Sequence, residues 1–239
     1  MSTVVVLQSN YLPWKGYFDL VHDADLFVFY DDVQFTKSDW RNRNKIKSPQ
    51  GTEWLTVPVG VDVDRLIHEV EIKDSIWQGK HWKTIQQRYG KCPHFARYRP
   101  FFEEVFLVGK WTNLSELNQH LIRSISHDLL GLDTEFRDSR EFQASGRKLD
   151  RLLDLLIRTG ARRYISGPAA KDYIVPAQFE EAGIELVWKD YSGYPEYPQR
   201  FPPFTHGVSI LDLLFNVGPD APWYIWGWRQ GTLTPRRLP

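Results

Sequence analysis

Residues 3–32, TVVVLQSNYLPWKGYFDLVHDADLFVFYDD, contain the pattern that decides the fold. Residues 4–7 are a short, fully apolar run, and residues 26–30 are a second one that ends at a pair of aspartates. Apolar runs of this length are typical of parallel strands that are buried on both faces. Residues 16–24 lie between the runs and carry their apolar residues at helical spacing. The segment therefore predicts a βαβ unit.

The same alternation of strand-like and helix-like segments continues along the chain. Further strands are predicted at residues 53–59, 69–72, 134–137, 163–166 and 184–188. Further helices are predicted at residues 77–89, 96–108, 114–130, 148–158, 170–182 and 208–215. The pattern indicates an α/β fold of Rossmann-like βαβ layers, in a single domain of residues 1–239 with a helical insertion at about 75–130.

Composition and missing motifs limit the function classes. The 30 basic and 30 acidic residues cancel, which argues against a general nucleic-acid binder. A single cysteine, Cys92, and histidines without ligand spacing predict no cysteine- or histidine-based metal site, which leaves Mg²⁺ at Asp31 and Asp32 as an open alternative. The chain has no phosphate-loop or dinucleotide-loop glycine motif. We therefore predict no cofactor. No signal peptide and no apolar run that could span a membrane are found, so we expect a cytoplasmic protein.

Two loops are expected to form a ligand site. Residues 8–14 follow the first strand and residues 31–45 follow the second, and ligands of parallel α/β sheets bind at the carboxyl ends of strands. The second loop runs into DWRNRNKIK at residues 39–47, where arginines and asparagines alternate beside a tryptophan. Such residues suit either a clamp for carboxylate, phosphate or sugar groups, or a solvated loop.

Asp31 and Asp32 close the second strand. Adjacent side chains at a strand end point to opposite sides, so one carboxylate could face a pocket while the other pairs with Arg41 or Arg43. The pocket-facing carboxylate would hold an amine or hydroxyl group, or act as a base. The alternative is a turn stabilised by a salt bridge.

A second polar group lies near the C-terminus, in HGVSILDLLFNVG at residues 206–218. On a helix, Ser209, Asp212 and Asn216 share one face, which suggests a polar network or the wall of a pocket. The alternative is that Ser209 caps the helix. His206 precedes this helix and is the histidine best placed to act as an acid or base.

Several of these motifs resemble those of the WbqC-like family. The similarity lies in QSNYLPWKGYF at residues 8–18, YDDV at 30–33 and WRNRNK at 40–45, and it continues through residues 164–167, 183–184 and 209–216. Ser9 departs from the pattern, because the family usually has proline after the glutamine. The matching polar and aromatic positions are Gln8, Asn10, Tyr11, Asp31, Asp32, Trp40, Asn42, Arg43, Asn44, Lys45, Ser209, Asp212 and Asn216.

The resemblance implies an enzyme of bacterial surface-polysaccharide (O-antigen) or specialised-metabolite biosynthesis that transfers an amino acid, in particular glycine, to an amine. We therefore expect an amide-forming aminoacyltransferase whose partners are a small-molecule amine acceptor and an acyl or peptidyl carrier protein. Two alternatives are a nucleotide- or nucleotide-sugar-dependent enzyme and a non-catalytic carbohydrate-binding protein.

Each step of this reaction can be matched to residues of the motifs. Asp31 or Asp32 would hold the donor's ammonium group, and Asn42 or Asn44 would stabilise the oxyanion. The cations of the same stretch, Arg43 and Lys45, would bind a phosphate or a pantetheine arm. His206, supported by Asp212, would act as the base.

Overall fold

The computed structural model describes residues 2–230, and a five-stranded parallel sheet forms its centre. The strands of this sheet are β1 (Thr3–Leu7), β2 (Leu26–Phe29), β5 (Glu135–Asp138), β6 (Arg163–Ser166) and β7 (Glu185–Trp188). Their order is β5-β2-β1-β6-β7, and β1 pairs with β2 so that Val4 lies opposite Leu26. The predicted βαβ unit is confirmed. The predicted domain also includes Met1 and residues 231–239, which lie outside the described residues.

Helices cover the sheet and form the predicted insertion. They are α1 (Lys15–Asp23), α2 (Ile76–Tyr89), α3 (Phe95–Glu103), α4 (Leu114–Ser124), α5 (Lys148–Arg158), α6 (Pro176–Glu181), α7 (Ile210–Val217) and α8 (Ala221–Ile225). Helices α2 to α4, with π-helical turns at Glu104–Val108 and Ile125–Leu129, make up the insertion. Among residues 2–230, no helix is long and apolar enough to cross a membrane.

Apolar side chains of the sheet pack on both of its faces. Val5 and Phe27 belong to the larger core cluster, whereas Val4, Val6 and Val28 belong to a second cluster beneath α5 and α6. This division follows from the two-residue period of a strand. Both faces are therefore buried, which explains why the strands appear as continuous apolar runs.

Three local predictions were wrong. Residues 43–48 form a strand, β3 (Arg43–Ser48), that pairs antiparallel with β4 (Gly51–Thr56). Residues 69–72 form no strand; a 3-10 turn at Ile67–Glu69 is followed by one isolated bridge. The predicted helix 170–182 begins only at Pro176, because proline lacks an N–H donor and restricts the residue before it.

The strand order creates a switch point between β1 and β6. From β1 the chain moves outward through β2 to β5, and it then returns to β6 on the other side of β1 and continues to β7. The loops that follow β1 and β6 therefore leave in opposite directions. A crevice forms at such a point, at the carboxyl ends of the strands.

Candidate functional site

A cleft of about 980 Å³ lies at this switch point, and we call it the switch-point cleft. It is lined by Val6, Leu7, Gln8, Tyr30, Asp32, Val33, Gln34, Leu66, Gly146, Arg147, Lys148, Leu149, Arg151, Leu152, Tyr164 and Tyr173. Of the predicted site residues, Gln8 and Asp32 lie here. The volume is at the upper end of the range typical of small-molecule sites, roughly 300–1,000 Å³.

Asp32 faces the cleft and is held by two neighbours. Ser139 donates its hydroxyl hydrogen to Oδ1 of Asp32 at 2.6 Å, and Arg151 forms an ion pair with Oδ2. Arg151 also lies 5.9 Å from the ring centroid of Tyr30. The carboxylate is therefore fixed in orientation at the edge of the cleft.

Asp31 points to the other side of β2 and is fully buried. Its carboxylate accepts hydrogen bonds from the backbone N–H of Ser9 at 2.8 Å, from the Ser115 hydroxyl and from the Gln119 amide at 3.3 Å. Burial raises the pKa of Asp31 above its ordinary value. These hydrogen bonds join the loop after β1 to α4, and Asp31 does not line the switch-point cleft.

The cleft also contains two cations that the sequence motifs did not predict. Arg147 and Lys148 are exposed at the start of α5, and neither forms an ion pair within residues 2–230. Lys148 has a φ of +51°, a left-handed conformation that is rare outside glycine and that is often found at ligand sites. The sequence does carry a signal of these cations, because Gly146-Arg147-Lys148 lies at the start of an amphipathic helix. Only the strand order, however, places this segment beside β1.

The loop after β1 separates this cleft from a smaller pocket of about 310 Å³, which we call the Trp40 pocket. It is lined by Asn10, Pro13, Trp14, Trp40, Asn44 and Gly207. Oδ1 of Asn10 is enclosed and accepts no hydrogen bond from the described residues. Leu12, in the same loop, has a φ of +43°. Three predicted residues, Asn10, Trp40 and Asn44, therefore line one pocket.

The amides of the Arg/Asn stretch are used mostly by the backbone. Asn44 donates to the carbonyls of Tyr11 and Leu12 at 3.2 and 2.9 Å, and Asn42 donates to that of Val57 at 3.1 Å. Both asparagines are buried. They fasten the β3–β4 hairpin to the loops around it, so at these two positions the side chains lie neither in a solvated loop nor free for a ligand.

Tyr11 is also buried, and it lies in the insertion's core rather than at a surface. Its hydroxyl is 2.8 Å from Nδ1 of His81, and its ring packs edge-on against Trp77. Burial lowers the pKa of His81 to about 4. This pair connects the loop after β1 to α2.

The depressed pKa of His81 predicts a loss of stability in acid. Between pH 6.5 and about 4 the unfolded chain binds a proton that the folded chain does not, so the free energy of unfolding falls as the pH falls. We expect a contribution of up to about 3 kcal/mol. Urea unfolding of the wild type and His81→Gln at pH 7 and pH 4 checks this, since the wild type should lose more stability than the variant. Equal losses would contradict it.

Helix α7 carries the second predicted polar group in the core. Ser209 caps the helix, because its hydroxyl accepts from the backbone N–H of Leu211 at 3.3 Å. Asp212 accepts from the hydroxyls of Tyr89 and Tyr197 at 3.1 and 2.9 Å. Burial raises the pKa of Asp212 to about 6. Asn216 donates to the backbone carbonyl of Asp212, so the three polar residues form a buried network and line neither pocket.

His206 is half-buried beside Phe204, with ring centroids 4.6 Å apart. No hydrogen bond joins it to Asp212 within residues 2–230, and Nδ1 is enclosed without a partner. Burial, and secondarily the nearby Lys15, lower the pKa of His206. The structure therefore does not bring the two residues together as a base and its support, although Gly207, the next residue, lines the Trp40 pocket.

A network of charges behind the Trp40 pocket was not predicted. Asp19 of α1 is fully buried and contacts Lys189 at 2.9 Å, the hydroxyl of Tyr194 at 2.5 Å, and Arg229. The Tyr194 ring lies 6.0 Å from that of Trp14, a wall of the pocket. The network therefore holds the loop after β7 against this wall.

Comparison with known proteins agrees with the motif resemblance. The model of the WbqC-like protein family matches residues 8–224. A protein of Mycobacterium tuberculosis (strain ATCC 25618 / H37Rv), "Uncharacterized protein Rv1507c", is 42% identical over 232 residues, which cover 96% of this chain and 100% of the relative. No solved structure matches the chain. By the extent of the family match and the identity to this relative, the chain belongs to the WbqC-like protein family.

Proposed function

We propose that the chain is an enzyme that binds a nucleotide-linked small molecule, such as a nucleotide-sugar, in the switch-point cleft. The observation that carries this proposal is the cleft itself. The cleft is large enough for such a ligand and lies where open α/β sheets bind ligands. Its lining includes two cations, Arg147 and Lys148, that form no ion pair within the described residues.

The lining suits the parts of a nucleotide-sugar. Arg147 and Lys148 can bind the phosphates, since hydrogen bonds between ionised groups are the strong ones. Tyr30 and the exposed Tyr173 offer aromatic faces to a base or a sugar ring. Asp32, fixed by Ser139 and Arg151, presents an acceptor to a hydroxyl or amino group of the sugar.

The reaction that we propose for this enzyme is amide formation by aminoacyl transfer, glycyl transfer in particular. It is supported by the presence of two pockets, one for each substrate, that share the loop of residues 8–14. An amino group of the ligand in the cleft would attack the carbonyl carbon of a thioester. The C–N bond forms, the C–S bond breaks, and the amine proton leaves with the thiol.

The structure changes the residues that we propose for these steps. Asp32, rather than the enclosed Asp31, would hold an amino group of the ligand in the cleft. His206 stays the candidate base because it is half-buried and the next residue lines the Trp40 pocket. The oxyanion role of Asn42 and Asn44 has less support, because their amide hydrogens are bound to backbone carbonyls.

A panel of ligands in a thermal-shift measurement tests the proposal. We expect UDP- and dTDP-linked amino sugars to raise Tm by about 5–10 °C at one hundred times Kd, because a ligand that binds only the folded state stabilises it. The free amino sugars, which lack the phosphates, serve as the control and should give a much smaller shift. Equal shifts from free and nucleotide-linked sugars would instead favour a carbohydrate-binding protein, which the exposed Trp40 and Trp54 would suit.

A further inference from the structure

Four side chains form an exposed surface at the mouth of the Trp40 pocket. Trp40 and Trp54 are 45% and 41% exposed, and their ring centroids lie 5.5 Å apart. The guanidinium of Arg43 lies 4.2 Å from the Trp54 ring centroid, and the ammonium of Lys45 lies 5.0 Å from it. We call these four side chains the indole–cation face. The register of the β3–β4 hairpin brings them together, since Lys45 pairs directly with Trp54.

The two cations of this face have no anionic partner. Within residues 2–230, neither Arg43 nor Lys45 forms an ion pair or donates a side-chain hydrogen bond. Arg41, two residues away, is by contrast bound to Asp39 and Gln8. Cations on an aromatic surface that no carboxylate neutralises are suited to bind a phosphate group.

The Trp40 pocket, next to this face, suits a different kind of ligand group. Among the described residues, its lining contains no charged side chain, and its polar side chains include the amides of Asn10 and Asn44. An uncharged occupant that carries hydrogen-bonding groups therefore suits this pocket. The volume, about 310 Å³, lies at the lower limit for small-molecule sites, so a slender chain fits better than a nucleotide-sugar.

We propose that the Trp40 pocket and the indole–cation face bind the phosphopantetheine arm of a thioester donor. The phosphate would lie on Arg43 and Lys45, and the neutral chain with its amide N–H groups would enter the pocket past Trp40 and reach Asn10. The inference rests on the amide-forming transfer proposed above, for which it names the donor. Coenzyme A and carrier proteins present the same arm, so the arm is the common ligand.

Isothermal titration calorimetry with 4′-phosphopantetheine and with pantetheine tests the inference. Coenzyme A is unsuitable as the first probe, because its nucleotide could enter the switch-point cleft. We expect 4′-phosphopantetheine to bind at least tenfold more tightly than pantetheine. The double variant Arg43→Gln/Lys45→Gln should abolish this difference, whereas Lys91→Gln/Arg97→Gln, which removes two exposed cations that line neither pocket, should keep it.

A second variant tests the pocket. A side chain at Gly207 enters open space at the pocket wall, where the nearest atom to a Cβ is 3.8 Å away. Gly207→Leu should weaken binding of both compounds at least tenfold, and Gly79→Leu, at another uncrowded glycine, should not. Equal affinity of the wild type for the two compounds, or no binding of either, would overturn the inference.

Two further binding experiments identify the source of the thioester and distinguish this inference from the proposal that the cleft binds a nucleotide-sugar. Tighter binding of a holo acyl carrier protein than of its apo form would assign the donor to a carrier; equal binding of the two forms, with coenzyme A bound, would assign it to the free thioester. Nucleotide-sugar binding by the Arg43→Gln/Lys45→Gln variant reports on the cleft alone. Retained nucleotide-sugar binding without any phosphopantetheine binding would overturn only the inference about the donor.

Discussion

Replacing Asp19 with alanine is expected to lower the free energy of unfolding by about 3–5 kcal/mol, the usual cost of breaking a buried ion pair by removing one partner. Lys189 is only 6% exposed and would lose its contact with the Asp19 carboxylate. The hydroxyl of Tyr194 and the guanidinium of Arg229 would lose the same acceptor. The effect would also reach the Trp40 pocket, since Tyr194 packs on Trp14.

Chemical denaturation at pH 7 measures this cost. Glu103→Ala is a suitable control because Glu103 forms an i,i+4 pair with Arg99 at the surface, where such pairs contribute roughly 0.3–0.5 kcal/mol. A loss of less than 1 kcal/mol in Asp19→Ala would show that the network contributes little.

The same network explains a group that resembles a metal site. Ligand atoms of Asp19, His22 and Asp23 lie within 4.8 Å of one another. The ammonium group of Lys189 contacts Asp19 at 2.9 Å and Asp23 at 2.5 Å, so the positive charge that these carboxylates need comes from the chain itself. This cluster therefore needs no ion for its charge balance.

Local pattern was sufficient to predict the sheet. Residues 4–7 and 26–30 are apolar throughout because both faces of a parallel sheet are buried, and this signal does not depend on distant contacts. Part of β4 was predicted within residues 53–59, but β3 was missed because its inward position at Asn44 is as polar as its outward positions at Arg43 and Lys45. Asn44 is stable there only because two carbonyls of the loop after β1 accept its amide hydrogens, and no local pattern reveals that contact.

The site could be predicted only in part, because part of it depends on contacts between residues that are distant in the sequence. The carboxyl end of β1 was identified, because a polar loop after a buried strand is a local feature. The switch-point cleft also needs α5 beside β1 and β2, and this placement depends on β6 pairing with β1 across about 160 residues. On α7 the helical spacing of Ser209, Asp212 and Asn216 was recognised from the sequence. The distant residues that bury Asp212, Tyr89 and Tyr197, were not.

Removing two cations of the cleft in Arg147→Gln/Lys148→Gln is expected to weaken nucleotide-sugar binding about 100- to 10,000-fold. Hydrogen bonds to charged groups contribute roughly 1.5–3 kcal/mol each, and about 1.4 kcal/mol corresponds to a factor of ten in Kd. Both side chains are exposed and unpaired within the described chain, so their loss should leave the free energy of unfolding nearly unchanged. Calorimetric titration with a UDP-linked amino sugar measures the loss.

The matched control for this variant is a second pair of cations that form no ion pair within the described residues. Arg43→Gln/Lys45→Gln removes the same charge from the indole–cation face, on the other side of the loop after β1. If the cleft binds the nucleotide, Arg147→Gln/Lys148→Gln loses affinity for the UDP-linked sugar and Arg43→Gln/Lys45→Gln does not. The Arg147→Gln/Lys148→Gln variant should keep its affinity for 4′-phosphopantetheine. Equal losses of nucleotide affinity in both variants would mean that general positive charge attracts the phosphates. In that case the affinity should fall steeply with salt, because exposed charges are screened within about 10 Å at 0.1 M ionic strength.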